Sequence, residues 1–147
     1  MNNPRYKYYS GEEFHTFTFD SIGKKGTIKK IVQYSPINQG VYNLGFGDYN
    51  NETGEIDDSI TTNNGDSQKV LMTVVATMYD FTSKYPDNCV FATGSNEVRT
   101  RLYRMGISNN IKLLKNDFIV CGLNNDDCWE DFIVGKDYKG FLVKRKI

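Results

Sequence analysis

The first half of the chain alternates apolar and polar residues, which is the pattern of β-strands that bury one face. In residues 14–19, His15, Phe17 and Phe19 lie on one side of the extended chain, and the other side carries Phe14 and two threonines. The turn region at 21–26 is of hairpin length, so we expect antiparallel pairing across it. The strands predicted in this half are residues 14–19, 27–34, 41–48 and 55–62.

The second half mixes short strands with helical periodicity. Residues 67–85 carry a wide apolar stripe at helical spacing, preceded by Asp66 and Ser67 as alternative N-caps. A second helical period covers about 95–106 and follows the short apolar strand 89–93. These two segments are the principal helices that the sequence predicts.

The order of the elements predicts the fold class. Three or four strands are followed by helix, strand and helix, and then by closing strands at 117–123 and 141–146, while 129–134 fits neither element clearly. A strand–helix–strand crossover adds a local parallel pair to a sheet whose early connections are hairpins. We therefore predict an α+β fold in one domain of 147 residues, with a mixed, mostly antiparallel sheet and two principal helices at about 67–85 and 95–106.

Composition argues against several functional classes. The chain has 18 basic and 18 acidic side chains, and this zero net charge argues against strong nonspecific binding of nucleic acids, which needs many phosphate contacts. The three cysteines form no CxxC pair, so we expect no disulfide framework, no metal site and a reducing, cytoplasmic environment. No apolar run approaches the roughly 20 residues of a membrane helix, and the N-terminus has no hydrophobic signal segment. We expect a cytoplasmic protein without a membrane segment.

One strand leads into a helix through Gly94, Ser95 and Asn96. Such a turn points backbone N–H groups and the positive end of the helix dipole at whatever lies above it. Basic side chains follow at once, and Arg99 is expected to lean back toward the turn. We predict that an anion such as a phosphate group binds at Gly94, Ser95, Asn96, Arg99 and Arg104.

An ordinary strand–helix turn is the alternative interpretation of the same residues. Residues 48–66 contain six acidic side chains and no lysine or arginine, whereas 99–115 contains five basic side chains and no acid. The arginines would then pair with the acidic segment inside the fold, and the turn would bind nothing. The sequence leaves both interpretations open.

The order of elements over about 41–147 resembles the second part of the GCN5-related N-acetyltransferase fold. In that fold a strand leads through a pyrophosphate-binding turn into a long helix, and a splayed strand, a shorter helix and a closing hairpin follow. The local resemblance is strongest in 96–107, on Asn96, Leu102-Tyr103 and Gly106-Ile107.

This resemblance implies an acyltransferase that uses acetyl-CoA. It implies Tyr103 as the general acid and the stretch NNGDSQ at 63–68 as the coenzyme A turn, and Asp57 is our candidate for the base. The chain departs from the family pattern in that turn, which has one glycine and places Asp66 where the pyrophosphate would lie.

A second resemblance spans nearly the whole chain. Phe46-Gly47-Asp48, the turn 63–66 with the residues 69–71 after it, and the block GSxxxRTRLY are similar to an uncharacterised family of short bacterial proteins, common in Bacteroidetes-type genomes. The resemblance implies a small cytoplasmic bacterial protein and no particular activity.

Three functions fit these observations. The first, which we predict, is a small binding or regulatory domain for a phosphate-bearing small molecule or nucleotide, without a resident cofactor. The second is the acyltransferase-like enzyme. The third is a protein-interaction domain, with homo-oligomers among its assemblies, that uses the aromatic residues Tyr6, Tyr8 and Tyr9.

Overall fold

The computed structural model describes residues 4–57, 62–94 and 96–146, and these form one eight-stranded sheet with three α-helices. The strands are Tyr9–Ser10 (β1), Thr16–Gly23 (β2), Gly26–Asn38 (β3), Val41–Asp48 (β4), Cys89–Ala92 (β5), Phe118–Leu123 (β6), Trp129–Asp131 (β7) and Gly140–Arg145 (β8). The helices are Ser67–Lys84 (α1), Glu97–Asn109 (α2) and Ile111–Asp117 (α3), and a 3₁₀ turn at Glu12–Phe14 precedes β2. None of the described helices is long and apolar enough to cross a membrane.

The sheet is mixed and mostly antiparallel, as predicted. The strands lie in the order β1-β2-β3-β4-β5-β8-β6-β7, and every neighbouring pair is antiparallel except β4 and β5. The parallel pair results from the crossover through α1 and spans Val41–Asn43 and Cys89–Phe91 only. Beyond these residues the two strands are no longer paired, and this separation shapes the surroundings of α2.

One prediction about a single element was wrong. Residues 55–62 do not form a strand in the part that is described: Ile56 makes one isolated bridge with Tyr49, and 58–61 lie outside the described residues. The Asn50 side chain accepts hydrogen bonds from the backbone of the next residues and closes a tight turn there. The Ile56 side chain then packs over Gly45 and Gly47, where a Cβ would come within 3.0 and 2.9 Å of it.

The two principal helices that the sequence predicts are present as α1 and α2, and a shorter third helix accompanies them. The helix predicted at about 95–106 begins at Glu97 and ends at Asn109, and a third helix, α3, follows it directly. Asn110 separates the two, since its Nδ2 donates to the Gly106 carbonyl at 2.8 Å and closes the last turn of α2. With seven residues, α3 is too short to give a clear periodic signal.

The core lies between one face of the sheet and the helices. Inward residues of the strands, such as Phe17, Val32 and Leu44, form one cluster with the apolar stripe of α1. Phe81 of α1 is fully buried, and its ring stacks on the Tyr34 ring at a centroid distance of 4.2 Å. Because α2 and α3 contribute to the same cluster, all three helices cover the same face of the sheet.

Candidate functional site

A cleft of about 570 Å³ lies between the N-terminal half of α2 and the chain segment that joins β6 to β8. The side chains around it are mainly polar and charged. The helix contributes Asn96, Glu97, Thr100, Arg101 and Arg104, and the segment contributes Asn125, Asp137, Tyr138 and Lys139. This is the part of the molecule where the sequence predicts an anion site.

The turn before α2 is closely packed. A Cβ on Gly94 would lie 2.3 Å from the backbone nitrogen of Thr100, so only glycine allows β5 to meet the helix there. The Gly94 N–H donates to the Thr100 hydroxyl at 3.2 Å, and the Asn96 side chain caps the helix by accepting from the Arg99 N–H at 2.9 Å. Two N–H groups of the first turn, those of Glu97 and Val98, have no partner in the part of the chain that the structure describes.

Of the five predicted ligand residues, the structure places Asn96 and Arg104 in the cleft. Gly94 is not among the residues that line the cleft, and its N–H donates to the Thr100 hydroxyl. Ser95 lies outside the described residues. Arg99 points elsewhere: its guanidinium is buried, donates to the main-chain carbonyl of Asp57 at 3.4 Å and lies close to β4.

The direction of Arg99 agrees with the alternative interpretation of the arginines. The contact with Asp57 shows that at least one arginine meets the segment 48–66 inside the fold. Arg104 instead pairs with Asp137 across the cleft, outside that segment. Pairing with the acidic segment therefore describes Arg99, whereas Arg104 of the same helix remains a candidate for anion binding.

The cationic side chains of the cleft differ in their partners. Arg104 pairs with Asp137, whose side chain is 79% exposed, and Lys139 pairs with Asp127. Arg101 is exposed and forms no ion pair within the described residues. Exposed pairs of this kind contribute little free energy, about 0–1 kcal/mol, so an incoming anion can replace Asp137 at low cost.

The Glu130 carboxylate fixes the segment that forms the other wall. It accepts hydrogen bonds from the Lys136 ammonium at 2.7 Å, from the Asn124 amide at 2.8 Å and from the Tyr138 hydroxyl at 2.8 Å. These three donors, Lys136 first, hold the pKa of Glu130 down at about 2. The Tyr138 ring packs flat against β6, where a Cβ on Gly122 would come within 2.5 Å of it.

The lowered pKa predicts how this wall responds to acid. The carboxylate contributes stability that is present above the ordinary pKa of 4.5 and is lost as the pH falls through about 2. An NMR titration of the Glu130 side-chain carboxyl should give a midpoint near 2, and Lys136→Gln should raise that midpoint toward 4.5. Lys112→Gln, on the exposed side of α3, should leave it unchanged. A Glu130 midpoint near 4.5 in the unmodified chain would contradict this account of the wall.

Tyr103 and Asp57, the residues that the acyltransferase resemblance brings forward, lie away from the cleft. The Tyr103 ring is 6% exposed, and its hydroxyl donates to the Leu44 carbonyl of β4 at 3.2 Å. Burial raises the pKa of Tyr103 to about 12. A hydrogen bond with the Phe46 backbone has the opposite, smaller effect on this pKa. The hydroxyl thus bonds the main chain of β4 beyond the residues that pair with β5. Asp57 contacts β4 through its own N–H, which donates to the Asp48 carbonyl.

A second, smaller cavity of about 150 Å³ lies at the start of α1. Phe46, Val70 and Leu102 give it apolar walls, and Asp66 lies at its rim. The Asp66 carboxylate accepts hydrogen bonds from the hydroxyls of Tyr6 at 2.6 Å and Ser21 at 2.5 Å. A negative charge fixed in this way repels a pyrophosphate at the start of α1.

The chain matches one family model. Residues 2–146 match the model described as a family of unknown function (DUF6934). The chain belongs to this family. Both walls of the cleft lie within the matched residues. The match agrees with the resemblance to an uncharacterised family that the sequence indicates over nearly the whole chain. No curated protein and no solved structure matches the chain.

Sequence reasoning missed several residues of the cleft in this family member. Thr100 and Arg101 lie four and five residues after Asn96, and the helical spacing of Arg101 and Arg104 already places these two arginines on one face. Lys139 and Tyr138 had no such signal, because they reach the helix only through the insertion of β8 between β5 and β6. The hydrogen bond from the Thr93 hydroxyl to the Lys139 carbonyl, at 3.0 Å, fixes that approach.

Proposed function

We propose that this protein binds a phosphate-bearing small molecule in the cleft between α2 and the segment 124–139. The observation that carries the proposal is the convergence of Arg101, Arg104 and Lys139 around one cleft at the start of a helix. The role is that of a small binding or regulatory domain, and no acid–base or nucleophilic step is part of the proposal.

The size of the cleft fits a small ligand. Its 570 Å³ lies within the range of roughly 300–1,000 Å³ that is usual for small-molecule sites. A nucleotide or a sugar phosphate is of this size. Asn96, Asn125 and Thr100 add neutral polar groups that can orient the non-phosphate part of such a molecule.

The electrostatics favour one phosphate group near the two arginines. A guanidinium binds two phosphate oxygens at once, and Arg101 and Arg104 are three positions apart on the helix, so both can contact one group. The N–H groups of Glu97 and Val98, which have no partner among the residues that the structure describes, and the dipole of α2 add positive potential at the same end. The carboxylates of Glu97 and Asp137 oppose this, which favours a ligand with a compact, highly charged group over a diffuse anion.

A thermal-shift screen tests the proposal. The full chain would be melted with inorganic phosphate, a sugar phosphate, common nucleotides and coenzyme A, each over a concentration series. A ligand of the cleft present at about 100 times its Kd should raise the Tm by roughly 5–10 °C. The variant Arg101→Gln/Arg104→Gln should lose most of that shift, because each lost charge-assisted hydrogen bond is worth about 1.5–3 kcal/mol.

The control removes the same charge elsewhere. Lys112→Gln/Lys115→Gln takes two exposed cations from α3, outside the cleft, and should keep the full shift. An equal loss in both double variants would mean that the ligand senses only the net charge of the protein. A shift that the arginine variant retains would place the ligand outside the cleft and contradict the proposal.

The second candidate is the acetyl-CoA-dependent acyltransferase. The observation in its favour is the parallel pairing of β4 with β5 over three residues only, between the long helix α1 and the shorter α2, which resembles the splayed strand of that fold. Tyr103 as acid and Asp57 as base belong to this candidate alone. The buried Tyr103 hydroxyl and the charge of Asp66 favour the first candidate. A thermal shift with coenzyme A that survives Arg101→Gln/Arg104→Gln would reverse this preference.

We further propose that the protein acts in a bacterial cytoplasm. The resemblance to short bacterial proteins supports the source, and the three cysteines, which are all free, support a reducing compartment.

A further inference from the structure

The face of the sheet opposite the helices carries an unusual number of large apolar side chains. Antiparallel sheets with one solvated face generally place polar residues on it. Around β3 and β4 that face is partly covered, since Ile56 packs on Gly45 and Gly47. Across β5, β8, β6 and β7 no described element lies over it. The apolar residues there, which we call the outer patch, are Phe91, Ile119, Leu123, Trp129 and Leu142.

Strand register places the outer patch on one continuous surface. Leu142 of β8 lies beside Phe91 of β5, and Leu123 of β6 lies beside Trp129 of β7. Gly140 leaves a gap through which the Phe91 and Trp129 rings meet at a centroid distance of 6.0 Å. Ile119 is 51% exposed and Trp129 46%, so the edge of the patch meets water.

Two charged side chains flank the apolar ones. Lys144 of β8 lies beside Ile119, and Asp131 of β7 lies beside Cys121, which puts both charges on the outer face and on opposite sides of β6. Within the described residues neither side chain forms an ion pair. They are one pleat apart along the strands, a displacement that a lysine side chain can span.

We propose that the outer patch is the contact between two copies of this chain, packed sheet against sheet about a two-fold axis that runs along β6. Such an axis places β8 of one copy over β7 of the other, because these strands lie on either side of β6. Lys144 of each copy then meets Asp131 of the other, so one contact is made twice. Ile119, Cys121 and Leu123 lie on the axis and pack against their own counterparts.

The charge pattern selects a second copy over an unrelated partner. A two-fold contact must be complementary to itself, and a patch with one cation and one anion on opposite sides of its axis meets that condition. The dimer leaves the cleft open, because none of the cleft residues belongs to the outer patch. The inference is therefore independent of the proposed ligand.

Sedimentation equilibrium of the full chain and of charge variants tests the dimer. The unmodified chain should sediment as a dimer that dissociates on dilution. Lys144→Asp and Asp131→Lys should each raise the dimer Kd roughly tenfold or more, because each places two like-charge pairs in the contact. The swapped variant Lys144→Asp/Asp131→Lys should recover most of the affinity. Lys112→Asp, on α3, is the matched control and should leave the Kd unchanged.

The recovery on swapping distinguishes a specific contact from general charge repulsion or a damaged fold, since both single changes are retained in the swapped chain. A chain that stays monomeric at all concentrations would overturn the proposal. So would a dimer whose Kd is unaffected by the single changes, or one that the swap fails to restore.

Discussion

Phe81→Ala should lower the free energy of unfolding by about 3–5 kcal/mol, the range for removing a large aromatic side chain from a packed core. The Phe81 ring is fully buried and lies parallel to the Tyr34 ring at 4.2 Å, and the rings of Tyr42 and Tyr85 each lie 5.1 Å away. Alanine leaves a cavity between α1 and the sheet that these rings cannot fill without moving. Urea denaturation followed by far-UV circular dichroism measures the loss.

Phe14→Ala is the matched control, because it removes the same ring from a half-buried position at the edge of the aromatic cluster. Phe14 has an edge contact with Phe17 and little else among the aromatic rings, so its loss should be less than half that of Phe81→Ala. Equal losses for the two variants would show that the stack on Tyr34 does not organise the core.

Lys30→Met should destabilise the protein by about 3–5 kcal/mol, because it leaves a buried carboxylate without its cation. Lys30 and Asp48 lie directly opposite each other on β3 and β4, and they are 4% and 8% exposed. The ammonium also donates to the Thr62 carbonyl at 2.9 Å, and the Thr62 hydroxyl donates to Asp48. The pair therefore connects the sheet to the chain that leads into α1.

The double variant Lys30→Met/Asp48→Leu separates the charge from the packing. A buried ion pair replaced by apolar residues of similar volume is often tolerated, so the double variant should be more stable than Lys30→Met alone. Urea denaturation of the two single variants and the double variant completes the cycle. A double variant whose loss equals the sum of the single losses would mean that the two charges do not interact in the fold.

The sequence predicts a helix or strand well where a clear apolar period or a capping residue marks it. The apolar stripe of residues 67–85 gives α1 almost to the residue, and Asn96 marks the start of α2 because its side chain caps the helix. The crossover rule gives the parallel pair of β4 and β5. Where a short segment has no period of its own, as in α3, the same reasoning finds nothing.

The sequence predicts where the candidate site lies, at the start of α2, but not which side chains line it. Gly94 and Asn96 locate the turn, yet the direction of Arg99 depends on where β4 and β5 separate, which no local pattern contains. Lys139 lies 35 or more residues from the helix residues it joins in the cleft. Its position follows from the order of strands in the sheet, and strand order is a property of long-range pairing.

The most direct test of the central claim is an amide NMR titration of the full chain with inorganic phosphate and then with pyrophosphate. The account predicts that the resonances of Glu97, Thr100, Arg101, Arg104 and Lys139 shift together along one saturable curve, while those at the start of α1 stay fixed. Shifts confined to the start of α1, or no saturable shift at any amide of the cleft, would contradict the proposal that this cleft binds phosphate-bearing molecules.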